Sequence, residues 1–452
     1  MDSRPRINPD ESPGVKSRTR YGGASLANAM QAIRKRQSFL WTVAVAFATV
    51  GLQMAQGILL ARLLHREGRG EYATAVFWSH FLMFVGLFGG LEVICRYAND
   101  PQVDRIQLRR SAIWLGVVTG FVTMIVAMLG SIFLIPLDKQ YMAGIGCLCC
   151  VSILAQNIIL IMTGVDRGSG DFRLYNLRRI FAAAALPVLI VVCLPFIKMT
   201  SGVVILLYVI GSFATLLVYM QGIPQPWTGP VAIPSNKLLK ESRPYAFSML
   251  AADLFDRLDL MLVLWLAPIA LQGDYAAMVP VVYPLIVIPN TLGMFLFNAG
   301  AKSGSAPNVR AFLRTLFALV AVQTLTVVGF WIVARPFILL LYGDAFETAI
   351  PLAMWLAPAS AIKGIVQGLE SFLKGRGRPQ ASILCRVVAA ATMFTITLLL
   401  FKQFDVVSVA MAALVSQVLC LLWIAWLVIY ELRKSSLEMD VVDVPSLSEI
   451  ID

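Results

Sequence analysis

The sequence predicts an all-α polytopic membrane protein, with about twelve transmembrane helices in two six-helix bundles and both termini cytoplasmic. Three observations predict it. Hydrophobic residues make up 58% of the 452 and charged residues only 14%, with a mean hydropathy of +0.77, far outside the averages of soluble domains. Apolar runs of about 20 residues, long enough to cross a bilayer, recur along the whole chain. Between them Lys and Arg alternate between crowded and sparse connections: 27 of 37 fall in one set of segments and six in the other. That asymmetry is the positive-inside bias. The net charge of +11 is therefore topological and implies no nucleic-acid partner.

Residues 1–38 contain no apolar core and are no signal peptide. Their Pro, Gly, Ser and Arg content predicts a disordered basic cytoplasmic tail, and SLANAMQAIRKRQSF at its end can form an interfacial helix. Six spans are expected at 39–61, 74–95, 111–135, 142–162, 180–197 and 202–222, giving an N-terminal bundle over 39–222. Residues 223–244 are Pro-rich and lie halfway along the chain, as a cytoplasmic linker between two halves should. The C-terminal bundle, 245–430, is expected to hold spans at 245–266, 276–299, 316–341, 350–373, 381–401 and 406–430. An acidic cytoplasmic tail, 431–452, follows. The seven cysteines lie in or beside apolar runs without metal-ligand spacing, so they read as small buried hydrophobes rather than disulfides or ligands.

Two internal echoes support the division into halves. Gly70-Glu71-Tyr72-Ala73 follows the first span and Gly273-Asp274-Tyr275-Ala276 the seventh, at an offset of 203; GDFRLYNLRR and GRPQASILCR bring Arg179 opposite Arg386 at an offset of 207. Two matches in equivalent topological positions imply duplication. Six-span repeats keep their orientation and are related by an axis along the membrane normal.

The seventh span contains DLFDRLD, residues 253–259, with three carboxylates and a guanidinium in seven positions. A charge at the centre of a span costs roughly 3 kcal/mol while each Leu or Ile returns only about 0.5. This face cannot meet lipid. Helical spacing places Asp253 with Arg257, and Asp256 with Asp259, on shared faces. Lys363 lies near the middle of span ten, where snorkelling is also hard. A water-filled cavity is the expected setting for these groups. Glu92, Glu370 and Arg386 lie near inner ends, where they either snorkel to headgroups or join the site. Gln53, Gln56, Gln156 and Asn157 are expected to hold helices together. Pro280, Pro284 and Pro289 in span eight, with Pro351 and Pro358 in span ten, predict bent or broken helices able to act as gates. No Walker A motif, metal-ligand set or paired catalytic residues appear, so neither an enzyme nor a cofactor is expected.

The stretch ILLARLLHREGRGEYATAVFWSHFLMFVGLFGGLEVICRYA resembles the opening two spans of Wzx-type oligosaccharide flippases. GDYAAMVPVVYPLIVIPNTLGMFLFNAGAKSG and LLYGDAFETAIPLAMWLAPASAIKGIVQGLESFLKGRGRPQ resemble the eighth- and tenth-span regions of the same polysaccharide transporters. These belong to the multidrug/oligosaccharidyl-lipid/polysaccharide exporter superfamily. The resemblance implies a flippase in the inner membrane that moves polyprenyl-diphosphate-linked oligosaccharide to the outer leaflet by alternating access, with or without ion coupling. It implies a cationic cavity for which Arg257, Lys363, Arg386 and Arg62 are candidates, and Asp253, Asp256, Asp259, Glu92 and Glu370 as candidates for ion or proton coupling. The expected partners are the lipid-linked oligosaccharide, membrane lipids and a polysaccharide polymerase. The alternative is a multidrug or cation antiporter of the same superfamily.

Overall fold

The computed structural model describes residues 20–286, 289, 309–376, 378 and 383–442, and these are helical apart from short connections. The described chain up to Ala44 forms one compact unit and Val45 onward a second, which carries the apolar cores and the cavities described below. In chain order the helices are α1 (Arg20–Gly86), α2 (Gly90–Ala98), α3 (Arg105–Phe133), α4 (Ala143–Cys150), α5 (Ser152–Gly168), α6 (Phe172–Cys193) and α7 (Ser201–Met220). Then come α8 (Ser235–Asp256), α9 (Leu258–Leu266), α10 (Ile269–Val282), α11 (Val309–Tyr342), α12 (Ile350–Gly375), α13 (Ile383–Phe404) and α14 (Val407–Val442).

Polar residues set several starts. Asp104 accepts from the Gln107 amide at 2.8 Å and Asp171 from that of Leu174 at 3.1 Å, so α3 and α6 begin where a side-chain oxygen satisfies an orphan N–H. Thr200 does the same for α7.

Nine described helices are long and apolar enough to cross a membrane, ten with the bent pair formed by 137–150 and 152–168. The expected twelve are recovered by two features. The apolar part of α1, Ala44–Gly86, has 43 residues, or ~64 Å, twice a hydrocarbon core of ~30 Å. It holds two crossings that meet at His65, whose φ of 55° interrupts the helix. The seventh crossing is divided into α8 and α9 at Arg257. Breaks were expected at proline, yet Pro358 lies within the continuous α12. One interruption does fall at a proline, at Tyr283 directly before Pro284, where α10 ends; the others fall at His65, at Leu87–Gly89 where Phe88 and Gly89 have φ of 50° and 76°, at Val151 and at Arg257.

Residues 20–38, which include the expected interfacial helix, are helical, while residues 1–19 lie outside the described residues. Likewise α14 continues to Val442, beyond the expected end at 430; residues 443–452 are outside the described set, as are 287–288 and 290–308, which take in much of the second half of the expected span eight. The central linker is strapped to α3. Arg110 donates to the Pro224 carbonyl at 2.6 Å and the Pro230 carbonyl at 3.1 Å, and the Ile233 amide donates to Ser111 Oγ at 3.0 Å.

The apolar cores separate along the chain. One cluster draws on residues 87–238, including Ile94, Leu108 and Ile161, and a second on 60–207. Two others draw mainly on 255–432, around Tyr275, Ile338, Phe372 and Ile424. A small cluster of Phe77, Trp78, Phe81, Ile135 and Leu264 joins the two sets.

Candidate functional site

Arg257 sits where helix geometry fails. Its φ of −123° and ψ of 4° end α8 at Asp256 and start α9 at Leu258. The spacing expected for one helix face therefore does not hold: Asp256 and Asp259 lie on different helices. Arg257 makes no ion pair or side-chain hydrogen bond among the described residues, and its guanidinium lies 5.1 Å from the centroid of the Phe84 ring.

The carboxylates have separate partners. Asp256 Oδ1 is 3.1 Å from Lys363 Nζ and 3.5 Å from Arg386 Nη1. Arg386 also donates to both oxygens of Glu370, at 2.9 and 2.7 Å, and both residues are buried. Asp259 accepts from the Tyr275 hydroxyl at 2.8 Å and from the Leu260 amide at 2.8 Å. Asp253 keeps Oδ2 buried without a hydrogen-bond partner.

Two cavities meet at this break. The first, of about 290 Å³, runs from Arg257 to Arg69, Tyr72 and Gln272 and is also lined by Gln53, Gln56 and His80. The second, of about 450 Å³, is lined by Asp253, Asp256, Asp259, Lys363, Gln367 and Gln417 among others. Arg257, Leu260, Val279 and Tyr283 line both. Among the sequence candidates, Arg257, Lys363, Asp253, Asp256 and Asp259 thus come together. Arg386 and Glu370 stand behind them as a buried pair. Glu92, in the first turn of α2, holds a buried Oε2 without a hydrogen-bond partner and lines neither cavity. Arg62 is elsewhere: it donates to the carbonyls of Leu340 and Leu341, the latter at 2.7 Å.

The first cavity is closed at its Arg69 end by contacts between the two halves of the sequence. A Cβ on Gly70 would collide with the Ile269 carbonyl, and one on Gly273 with the backbone of Arg66. Each glycine thus packs on the residue four before the other, so the two echoed segments cross at close range. Arg66 pairs with Asp274 at 2.5 Å. Thr348 donates to Asp274 at 3.1 Å, Arg69 to the Ala276 carbonyl at 3.0 Å, and Thr74 Oγ1 lies 3.1 Å from Gln272 Oε1. Lys139, fully buried, donates to the carbonyls of Leu264 at 2.5 Å and Ala267 at 2.6 Å, capping α9. Four of the six cations in the sparse connections, Arg62, Arg66, Arg69 and Lys139, are therefore interhelical bolts. Sequence reasoning counted Arg66, Arg69 and Lys139 only as charge and placed Arg62 in the cationic cavity, which it does not line. For Arg62 and Lys139 the signal was a long cationic donor beside a helix end whose last carbonyls lack partners.

The second echo is shifted by one residue in its chemistry. Arg178, not Arg179, is the buried guanidinium of α6; it pairs with Asp166 at 2.6 Å, and Arg109 joins the same carboxylate at 2.8 Å. Arg178–Asp166 in one half and Arg386–Glu370 in the other are equivalent buried pairs between consecutive long helices.

No protein-family model matches the sequence, and no curated protein matches it by sequence. Solved structures do match by fold. Lipid II flippase MurJ, in an inward closed conformation, superposes with a TM-score of 0.70 at 11% identity, over 90% of this chain and 94% of that one. The eukaryotic MATE transporter AtDTX14 gives 0.62 at 15% identity, over 89% and 98%. A MOP superfamily transporter from Pyrococcus furiosus gives 0.59 at 14% identity, over 88% and 96%. The chain has the fold of these membrane transporters over nearly its whole length.

Proposed function

We propose that this chain is a flippase that moves polyprenyl-diphosphate-linked oligosaccharide from the inner to the outer leaflet of the cell inner membrane, by alternating access, for surface polysaccharide assembly. The observation that carries this reading is Arg257, a guanidinium without an ion-pair partner among the described residues, in the wall shared by the two cavities. Its donors have no direct hydrogen-bond partner among the described residues, so a ligand's oxygens can take them. A diphosphate is the natural counter-ion, because guanidinium grips phosphate oxygens in bidentate fashion. The fold shared with lipid II flippase MurJ supports a lipid-linked cargo, and the charge bias supports cytoplasmic termini. On that orientation the Gly70–Gly273 crossing closes the outer face and the cavities belong to an inward-directed state. Lys363 and the carboxylates of the second cavity are then available for substrate positioning or for ion coupling, and a polysaccharide polymerase is the expected recipient of the product.

A cell lacking this protein and any second flippase accumulates lipid-linked oligosaccharide on the inner leaflet. Normal delivery to the outer leaflet in that cell overturns the proposal. The second reading, a cation antiporter, rests on Asp253, Asp256 and Asp259 in the second cavity and on the fold shared with MATE transporters. It predicts instead cation efflux that survives loss of Arg257.

A further inference from the structure

The two cavities differ in the sign of their fixed charge. Among the described residues, three carboxylates line the second, against Arg257 and Lys363. No Asp or Glu lines the first, which carries both Arg69 and Arg257. An anion entering from the break at Arg257 is opposed by the carboxylates on one side and drawn toward Arg69 on the other.

Arg69 is built into the closure of that cavity and is only 7% exposed. One terminal nitrogen, Nη2, donates to the Ala276 carbonyl at 3.0 Å. Its Nε is buried with no hydrogen-bond partner. Its guanidinium lies 5.3 Å from the centroid of the Tyr72 ring, which holds it against the cavity wall. A buried donor left unsatisfied is costly, and a bond from Arg to a neutral carbonyl is weaker than one to an anionic oxygen. Gly57, on the same wall, places a second orphan close by: the buried hydroxyl of Tyr342 lies 3.6 Å from where a Cβ on Gly57 would be.

We infer that the carboxylate-free cavity is the anion compartment, and that Arg69 couples its occupancy to opening of the Gly70–Gly273 crossing. This rests on the flippase reading above. A diphosphate drawn past Arg257 satisfies the Nε of Arg69 and competes for Nη2, so Arg69 leaves the Ala276 carbonyl. One contact between the halves is then lost because the cargo has arrived. The device makes an empty transporter stay shut at that end and a loaded one free to open. Arg66–Asp274 and Lys139 hold the closure in the absence of cargo but line neither cavity, so they cannot read its contents.

The test uses the full chain in lipid nanodiscs with undecaprenyl diphosphate as the probe, reading affinity together with amide exchange at residues 64–74 and 269–277. The wild type binds the probe, and binding raises exchange at both segments by roughly threefold or more. Arg69→Ala weakens affinity by about tenfold and leaves the exchange of both segments indifferent to the probe. Arg257→Ala also weakens binding but leaves exchange in the probe-free chain at the wild-type level. Should Arg69→Ala not insert stably, Arg69→Gln carries the same comparison. Affinity within twofold of wild type in the Arg69 variant, or a crossing that still responds to the probe, overturns the role of Arg69 alone. A wild type that does not bind the diphosphate overturns the functional reading itself and the inference with it.

Discussion

Arg386, Glu370 and Asp256 show how a charged residue in a membrane domain comes to rest among partners. Both oxygens of Glu370 accept from Arg386, whose third contact reaches Asp256 at the cavity wall. Removing one member of a buried pair leaves an uncompensated charge, at a cost of about 3–5 kcal/mol, whereas replacing both by apolar residues of similar size is close to neutral. Glu370→Ala is accordingly expected to lower thermal stability in detergent by that amount, and Glu370→Leu with Arg386→Met by far less. Equal losses in the single and double variants would show that the pair is not coupled. The sequence identified both residues as costly and left them between snorkelling and a site. It could not join them, because they lie on consecutive helices and no spacing rule links a carboxylate to a guanidinium across a connection. Arg69 was less legible still. It reads as an outer-loop charge, and only the fold reveals a buried donor with a free Nε.

Among the elements, the crossing at Gly70 and Gly273 and the break at Arg257 decide what the cavities look like. The echo of Gly-Glu-Tyr-Ala by Gly-Asp-Tyr-Ala implies duplication. Similarity says nothing of contact, yet the two segments pack on each other, and this explains why both begin with glycine. Filling the space at Gly273 with Val forces the backbones apart, costing about 1–3 kcal/mol by overpacking and raising amide exchange at 64–74. Unchanged exchange in Gly273→Val would mean that the close approach is not needed for closure. The break at Arg257 was hidden from the sequence because LFDRLDLML holds neither Gly nor Pro and its Leu, Arg and Met favour helix. Tertiary placement of four charges overrides that preference. Proline was a partial guide: α10 stops directly before Pro284, whereas neighbouring helices accommodate Pro358 without interrupting α12.

At the scale of the whole molecule, composition and the Lys and Arg bias were enough to predict an all-α membrane protein, because the bilayer leaves so few alternatives. The arrangement of cavities was not predictable, since it depends on which halves touch and where. All the bolts named above lie at one end, so a transporter working by alternating access must part them in each cycle. Thr74 and Gln272 face each other across this closure. A short bifunctional cross-linker between Thr74→Cys and Gln272→Cys is expected to stop transport in the full chain, with activity returning when the cross-link is cleaved. Transport that continues through the cross-linked protein would place the moving parts elsewhere.

The most direct measurement is translocation of a fluorescent polyprenyl-diphosphate oligosaccharide in proteoliposomes, comparing the wild type with Arg257→Ala at equal insertion. The account predicts transport by the wild type and its loss in the variant, by at least about tenfold for a charge-assisted phosphate contact. Wild-type rates in Arg257→Ala, or no transport of the lipid by either protein, would contradict it.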